Sequence, residues 1–210
     1  MTAIDTFRRA AIEWAIRGDA AAEATAMGVR DSVKTGILVE GVSDAAAIEA
    51  LAAGSGRDLQ DARVCVIPMG GVTNIAKFLD VLGDRGLDLK VAGLCDANEE
   101  RYFLRALGLD SRAIMADAGF FVCVDDLEDE FIRALGVDEV QRVMDVNGDL
   151  RLFRTFQNQP AQRERSLERQ LRRFLGTTSG RKERYAKIFV DALEEPRIPR
   201  PLRDLLAFVF

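Results

Sequence analysis

The sequence contains no histidine. Histidine is the usual general base near neutral pH, and it is part of serine and cysteine catalytic triads and of many zinc sites. Its absence excludes these three chemistries. Any catalysis would have to use carboxylates, lysine, hydroxyl groups or a metal with oxygen ligands, and such ligands favour hard ions such as Mg²⁺ or Mn²⁺.

Cysteines and long apolar runs are also scarce. The cysteines Cys65, Cys95 and Cys123 are widely spaced and odd in number, which argues against a disulfide framework. Each falls within a predicted strand, so we expect buried structural thiols. No apolar run approaches the ~20 residues of a membrane span, and the N-terminus has no signal-peptide pattern. We therefore expect a cytoplasmic protein without membrane association.

Charge is distributed unevenly along the chain. Residues 1–150 contain 15 basic and 27 acidic side chains, a net charge of −12, whereas residues 151–187 carry a net charge of +8. An acidic body with a basic extension is expected where acids hold metal ions and arginines meet a polyanion. A solvated, salt-bridged helical face explains the same pattern, and charge alone leaves both interpretations open.

Four apolar runs predict buried strands, and acidic residues follow three of them. The runs are Ile37–Val39, Val64–Pro68, Leu89–Cys95 and Gly119–Val124. The polar residues that follow the first, third and fourth are Glu40 with Asp44, Asp96 with Asn98, and Asp126 with Glu128. Helical patterns separate the runs, so we expect a parallel sheet whose strand ends share one edge. Unpaired carboxylates at this edge would repel each other by several kcal/mol at an effective dielectric constant of about 20. One or two divalent ions would neutralise them.

These residues also have ordinary structural interpretations. Asp44 in the first turn of a helix suits the helix dipole, and so do the acids around Asp126. Asp96 and Asn98 fit an Asx turn or a helix cap. The pair Gly70-Gly71 after the second run resembles a tight turn as much as a nucleotide-binding loop. The recurrence of acids at several strand ends is what favours a common site.

The regions on either side of the predicted sheet are helical. Residues 4–28 predict an amphipathic helix or helix pair. Towards the C-terminus, Arg163 to Leu175 and Arg181 to about Leu193 predict basic helices, and Leu202 to Phe210 predicts a short apolar helix that packs on the body or on another subunit. We divide the chain into an N-terminal helical segment (1–32), an α/β core (33–150) and a basic helical extension (151–210).

Several segments together resemble a toprim domain, the metal-binding unit of topoisomerases, primases and several nucleases. The matching motifs are VEG with Glu40 and LCDAN with Asp96. A closer similarity, over roughly residues 33–136, is to the toprim domain of the overcoming-lysogeny-defect (OLD) nucleases. The segments that carry it are LVEGVSD, IPMGGVTNIAKFL and DDLEDEFIRALG. The later GRKERYAKIFVDAL and IPRPL resemble the C-terminal helices of the same group.

The resemblance implies an α/β, toprim-like Rossmannoid parallel sheet and a DNA endonuclease that uses Mg²⁺ or Mn²⁺. It implies metal ligands at Glu40, Asp44, Asp96, Asn98, Asp126 and Glu128. It also implies acid/base chemistry by Glu40 and charge stabilisation by Lys182. These two residues would form the active site of a hydrolase. The arginines that would hold the DNA backbone are Arg172, Arg173, Arg181 and Arg184. The family's second aspartate is here Asn98, which would weaken or remove one metal site.

Two alternatives of other classes stay open. A degenerate toprim module would bind metal and DNA, or recruit a partner, without turnover, and Asn98 favours it. A phospho-signalling receiver domain also clusters acids at strand ends, but the EGVSD segment and the basic extension do not fit its pattern. The OLD module usually follows an ATPase, and no GxxxxGK[ST] motif occurs here. Either the protein works alone or a separate partner supplies the ATPase, and the apolar C-terminal helix leaves room for a homo-oligomer.

Overall fold

The centre of the molecule is a four-stranded parallel sheet with the strand order β2-β1-β3-β4. The computed structural model describes residues 1–178 and 180–210. The strands are β1 (Thr35–Val39), β2 (Val64–Pro68), β3 (Lys90–Asp96) and β4 (Phe120–Cys123). All five residues of β1 are buried, as expected for a strand covered by helices on both faces. The predicted α/β parallel sheet is confirmed.

Twelve α-helices surround the sheet within the described residues. In chain order they are α1 (Ala3–Arg17), α2 (Ala20–Gly28), α3 (Val42–Gly54), α4 (Ile75–Leu82), α5 (Glu100–Leu107), α6 (Arg112–Asp117), α7 (Leu127–Leu135), α8 (Val137–Val146), α9 (Leu150–Gln157), α10 (Leu167–Leu175), α11 (Arg181–Ala192) and α12 (Arg200–Val209). The predicted N-terminal helix pair is thus confirmed.

Two apolar cores lie on opposite faces of the sheet. Ile37 and Val39 of β1 contact the core formed by α3 and the helices α7 to α12. Leu38, between them, contacts the other core, which α1, α2, α4, α5 and α6 complete. Successive strand residues point to opposite faces, so one short apolar run supports both cores. The whole C-terminal helical extension therefore packs on the α3 face, where α11 lies along α3.

The sheet positions its two inner strands closely. Gly93 of β3 lies beside Leu38 of β1 and Phe120 of β4. A Cβ atom at position 93 would lie 2.7 Å from the Phe120 ring and 2.9 Å from the Leu38 carbonyl oxygen. Only glycine fits between these neighbours without displacing them. The close fit fixes β3, whose last residue is Asp96, relative to β1.

Some predicted boundaries differ from the structure. The helix predicted from Arg163 begins instead at Leu167, because the Ser166 side chain accepts a hydrogen bond from the Arg169 amide and caps it. The apolar C-terminal helix α12 packs on the body, against β3 and β4. The three cysteines are buried and unbridged, as predicted. In the part of the chain that the structure describes, no helix is long and apolar enough to cross a membrane.

Candidate metal centre and basic groove

The carboxyl ends of β1 and β3 bring three carboxylates together. Glu40 directly follows β1, Asp96 is the last residue of β3, and Glu99 lies in the turn before α5. One carboxylate oxygen from each lies within 4.8 Å of the others. The two strands are neighbours in the sheet, so their ends meet as predicted. We call Glu40, Asp96 and Glu99 the carboxylate cluster; its donor atoms suit a hard divalent cation.

Mutual repulsion and burial perturb this cluster. Burial raises the pKa of Asp96 to about 8, and the charges of Asp44 and Asp126 add to the effect. Burial and a hydrogen bond with Glu40 raise the pKa of Glu99 to about 7. The Oε2 atom of Glu99 is buried without a hydrogen-bond partner. Among the described residues, no lysine or arginine forms an ion pair with the cluster. The cluster therefore lacks a compensating positive charge.

Asp44 has both a structural and an electrostatic role. Its Oδ2 atom accepts a hydrogen bond of 2.9 Å from the Gly41 amide at the start of α3, which is the ordinary helix-start role considered above. Burial nevertheless raises the pKa of Asp44 to about 7, and the charges of Glu128 and Glu40 contribute. Asp44 thus interacts electrostatically with the carboxylate cluster and with the acids at the start of α7.

Asp126 and Glu128 at the start of α7 are paired with cations, unlike the cluster. Asp126 is 7% exposed, and its Oδ2 atom lies 2.5 Å from the Arg172 Nε atom of α10. Glu128 is 8% exposed, and its Oε2 atom lies 3.0 Å from the Lys182 Nζ atom of α11. Burial alone would lower the pKa of Lys182, but the charges of Glu128 and Asp126 outweigh it and raise that pKa.

A basic groove opens beside these ion pairs. It has a volume of about 630 Å³ and is lined by Asp126, Arg165, Arg169, Arg172, Arg173, Gly176, Thr177 and Lys182. Arg165, Arg169 and Arg173 are exposed along it. Arg165 and Arg169 are not among the arginines that the sequence singled out. Asp126 and Lys182 line the groove, and Asp126 is also near enough to Asp96 for its charge to raise the pKa of Asp96, so the groove lies next to the acidic edge of the sheet.

The other predicted arginines make internal contacts. Arg184 forms an ion pair with Asp149, which also accepts a hydrogen bond of 2.9 Å from the buried Tyr185 hydroxyl. Arg181 donates a hydrogen bond of 2.9 Å to the Phe174 carbonyl oxygen and lies over the same residue's ring, 4.1 Å from its centroid. Neither residue lines the groove, whereas Arg172 and Arg173 do.

The turn after β3 decides which side chain joins the cluster. Asn98 is exposed, while Glu99 contributes the third carboxylate. The sequence analysis paired Asn98 with Asp96 after the third apolar run and named it as a metal ligand implied by the resemblance. The strand ends at Asp96, however, and the Glu99 amide donates a hydrogen bond of 2.9 Å to the Asp96 carbonyl oxygen. This bond closes a turn between Asp96 and Glu99.

A family model and solved structures both agree with this geometry. The core is an α/β parallel sheet with carboxylates at its carboxyl edge. Residues 33–97 match the family model "Overcoming lysogenization defect protein-like, TOPRIM domain". The segment 33–97 is thus similar to an OLD-like toprim domain, and the resemblance stated from the sequence is confirmed at this level. Comparison with curated proteins gives no match.

Solved structures of two bacterial OLD proteins share the fold. The C-terminal region of the Burkholderia pseudomallei OLD protein has a TM-score of 0.66 and 19% identity, with 84% of this chain and 97% of that chain covered. The C-terminal region of the Xanthomonas campestris pv. campestris OLD protein has a TM-score of 0.63 and 22% identity, with 84% and 94% covered. The similarity extends beyond the segment 33–97 and therefore includes helices outside it.

Proposed function

We propose that this chain is a divalent-metal-dependent DNA endonuclease that hydrolyses phosphodiester bonds. The observation that carries the proposal is the position of the basic groove next to the carboxylate cluster. Asp126 and Lys182 line the groove, and Asp126 also raises the pKa of Asp96 in the cluster. A phosphate backbone held by the groove would therefore lie beside the acidic edge. Carboxylates that can hold a metal ion lie beside cationic side chains that can hold a phosphate. This arrangement suits phosphoryl chemistry better than binding alone.

The carboxylate cluster fits a hard divalent ion. Its donor atoms are carboxylate oxygens, and the Oε2 atom of Glu99 is buried and unpartnered. Glu40, Asp96 and Glu99 would hold Mg²⁺ or Mn²⁺, with Asp44 nearby. A bound ion would stabilise negative charge on the phosphate and lower the pKa of a bound water. The acid/base role that the resemblance implies for Glu40 would be exercised from this cluster.

The basic side chains would hold the substrate. Lys182 has a pKa above its ordinary value, so it stays protonated and offers a fixed positive charge to a phosphate or a leaving oxygen. Arg165, Arg169 and Arg173 are exposed in the groove and would contact backbone phosphates. Such contacts give affinity and register but no base specificity, so we expect little sequence preference from the groove itself.

A nicking assay tests catalysis. Supercoiled plasmid would be incubated with the protein and Mg²⁺ or Mn²⁺, and with EDTA as the metal-free reference. We expect metal-dependent nicking that falls by about 100-fold or more in Glu40→Gln and Asp96→Asn, because each loses a charged ligand. Glu139→Gln, which changes a half-buried glutamate of α8 paired with Arg142, serves as the matched control. Full nicking by both site variants would refute the proposal.

A DNA-binding assay tests the groove separately. We expect Arg169→Gln and Arg173→Gln each to weaken binding and to reduce the salt dependence of the binding constant by about one phosphate contact. Arg142→Gln, an exposed arginine of α8 outside the groove, is the charge-matched control. Equal losses in the control and in the groove variants would show that the groove has no special role.

A second candidate function is a toprim module that binds metal and DNA without turnover. The uncharged and exposed Asn98 favours it, because it adds no charged ligand to the edge. Mn²⁺ binding and DNA binding without nicking would establish this alternative. The toprim match gives no support to a receiver domain. A separate ATPase partner and self-association through α12 stay predictions.

A further inference from the structure

We infer that the acidic edge holds one divalent ion and that Arg172 and Lys182 occupy the place of a second. The inference deepens the proposed function and rests on its metal centre. It assigns Glu40, Asp96 and Glu99 as the ligands of this ion. Asp126 and Glu128 are not ligands in this assignment. These two would hold the cations of α10 and α11 at the substrate groove.

The first argument is the way the acids divide into two groups. The carboxylate cluster has no cationic partner among the described residues, and the Oε2 atom of Glu99 is buried and unpartnered. Asp126 and Glu128 are more completely buried but are each paired with a cation. Of these two groups, only the first lacks a cationic partner, so it is the first group that an added ion would complete.

The second argument concerns the oxygen atoms themselves. The Oδ1 atom of Asp126 accepts a hydrogen bond of 2.8 Å from the Asp129 amide and caps α7. Its Oδ2 atom lies 2.5 Å from the Arg172 Nε atom. Both oxygens are thus engaged, and an ion at Asp126 would have to break the helix cap or the buried ion pair. Asp126 is therefore poorly suited to ligate a metal.

The third argument is the supply of anionic ligands. A second ion would need further carboxylates, but Asn98 is neutral and exposed, and the Oδ2 atom of Asp44 accepts the Gly41 amide. Glu99 reaches the first ion's position because of the turn that follows Asp96. The chain thus supplies three clustered carboxylates for one ion and leaves no comparable set for another among the described residues.

The arrangement has a functional consequence. Arg172 and Lys182 lie at the boundary between the groove and the acidic edge, and they would place fixed positive charges against a bound phosphate. Fixed side chains can neutralise charge as a second ion would, but without exchanging with solvent. Occupancy of the centre should therefore rise with Mn²⁺ concentration as a single-site process.

The test is the stoichiometry of Mn²⁺ binding, measured by titration calorimetry on the full chain without DNA. We expect one ion per chain, an affinity at least about tenfold lower in Glu99→Gln, and an unchanged affinity in Asn98→Ala. Glu139→Gln is the control for a remote carboxylate. Two ions bound to the wild type would overturn the inference. An Asn98→Ala loss as large as the Glu99→Gln loss would overturn the ligand assignment.

A double variant tests the substitution of cations for the second ion. Removing both cations in Arg172→Gln with Lys182→Gln should free Asp126 and Glu128 and raise the stoichiometry from one Mn²⁺ to two. The ion retained in the carboxylate cluster would report that the variant is folded. A stoichiometry that stays at one would refute the role given to Arg172 and Lys182. Because no outcome depends on nicking, these results are independent of whether the chain is a nuclease.

Discussion

Without metal, the carboxylate cluster should make the protein less stable as the pH rises, and Asp96→Asn should remove part of that dependence. Burial, aided by the charges of Asp44 and Asp126, raises the pKa of Asp96 from 3.8 to about 8. Between these values the folded chain keeps a proton that the unfolded chain has lost. The resulting stability is fully present below pH 3.8 and is lost as the pH rises towards 8.

The size of the effect follows from proton linkage. A difference of one bound proton changes the free energy of unfolding by about 1.4 kcal/mol per pH unit. Between about pH 5.5 and pH 7.5, the upper limit is roughly 2.7 kcal/mol for one such group. Asp96 is only partly buried and shares its proton uptake with Asp44 and Glu99, so a smaller value is expected. We expect wild type to lose about 1–2 kcal/mol more than Asp96→Asn across this interval.

Urea unfolding in EDTA measures this difference directly. The free energies of unfolding of the wild type and of Asp96→Asn would be compared at the two pH values, with Asp145→Asn, an exposed aspartate of α8, as the matched control. The control should parallel the wild type. If Asp96→Asn loses stability in parallel with the wild type, the Asp96 carboxyl group is not the source of the pH dependence, and the reasoning from its raised pKa is wrong.

Three further predictions concern stability. Gly93→Ala should lower the free energy of unfolding by about 1–3 kcal/mol because the added Cβ would lie 2.7 Å from the Phe120 ring, whereas Gly54→Ala, which has open space, should leave the urea midpoint unchanged or slightly higher. Tyr185→Phe should cost about 1–2 kcal/mol, measured in the same way, because it removes the hydrogen bond to the buried Asp149; an unchanged midpoint would contradict this. Mg²⁺ at about 100 times its dissociation constant should stabilise the wild type by about 2.7 kcal/mol, and a similar gain in Asp96→Asn would contradict the assigned site.

The arrangement of the sheet could be predicted because the strands are covered on both faces. Their apolar runs are continuous, and helical segments separate them, which together favour parallel pairing. From parallel pairing it follows that Glu40 and Asp96 meet at one edge, and the structure places them together. This part of the site depends only on the order of strands and acids along the chain.

The remaining part of the site depends on local turns and on distant pairs, which the sequence does not determine. Glu99 joins Glu40 and Asp96 in the cluster, whereas Asn98 in the turn after Asp96 is exposed, and the sequence pattern did not point to Glu99. The partners Arg172 and Lys182 are 46 and 54 residues from Asp126 and Glu128. Among many arginines of similar spacing, only the packing of α10 and α11 selects the ones that face the acidic edge.

The packing of the C-terminal extension is compatible with both interpretations of its charge. The extension carries the chain's excess of positive charge, which the sequence analysis attributed either to internal salt bridges or to contact with a polyanion. Helix α10 supports both, because its Arg172 pairs with buried Asp126 while Arg169 and Arg173 are exposed in the groove. Internal pairing fixes the helix against the acidic body, and this fixed position is what directs the exposed arginines towards the same edge. Under the proposed function, the basic extension would form part of the site.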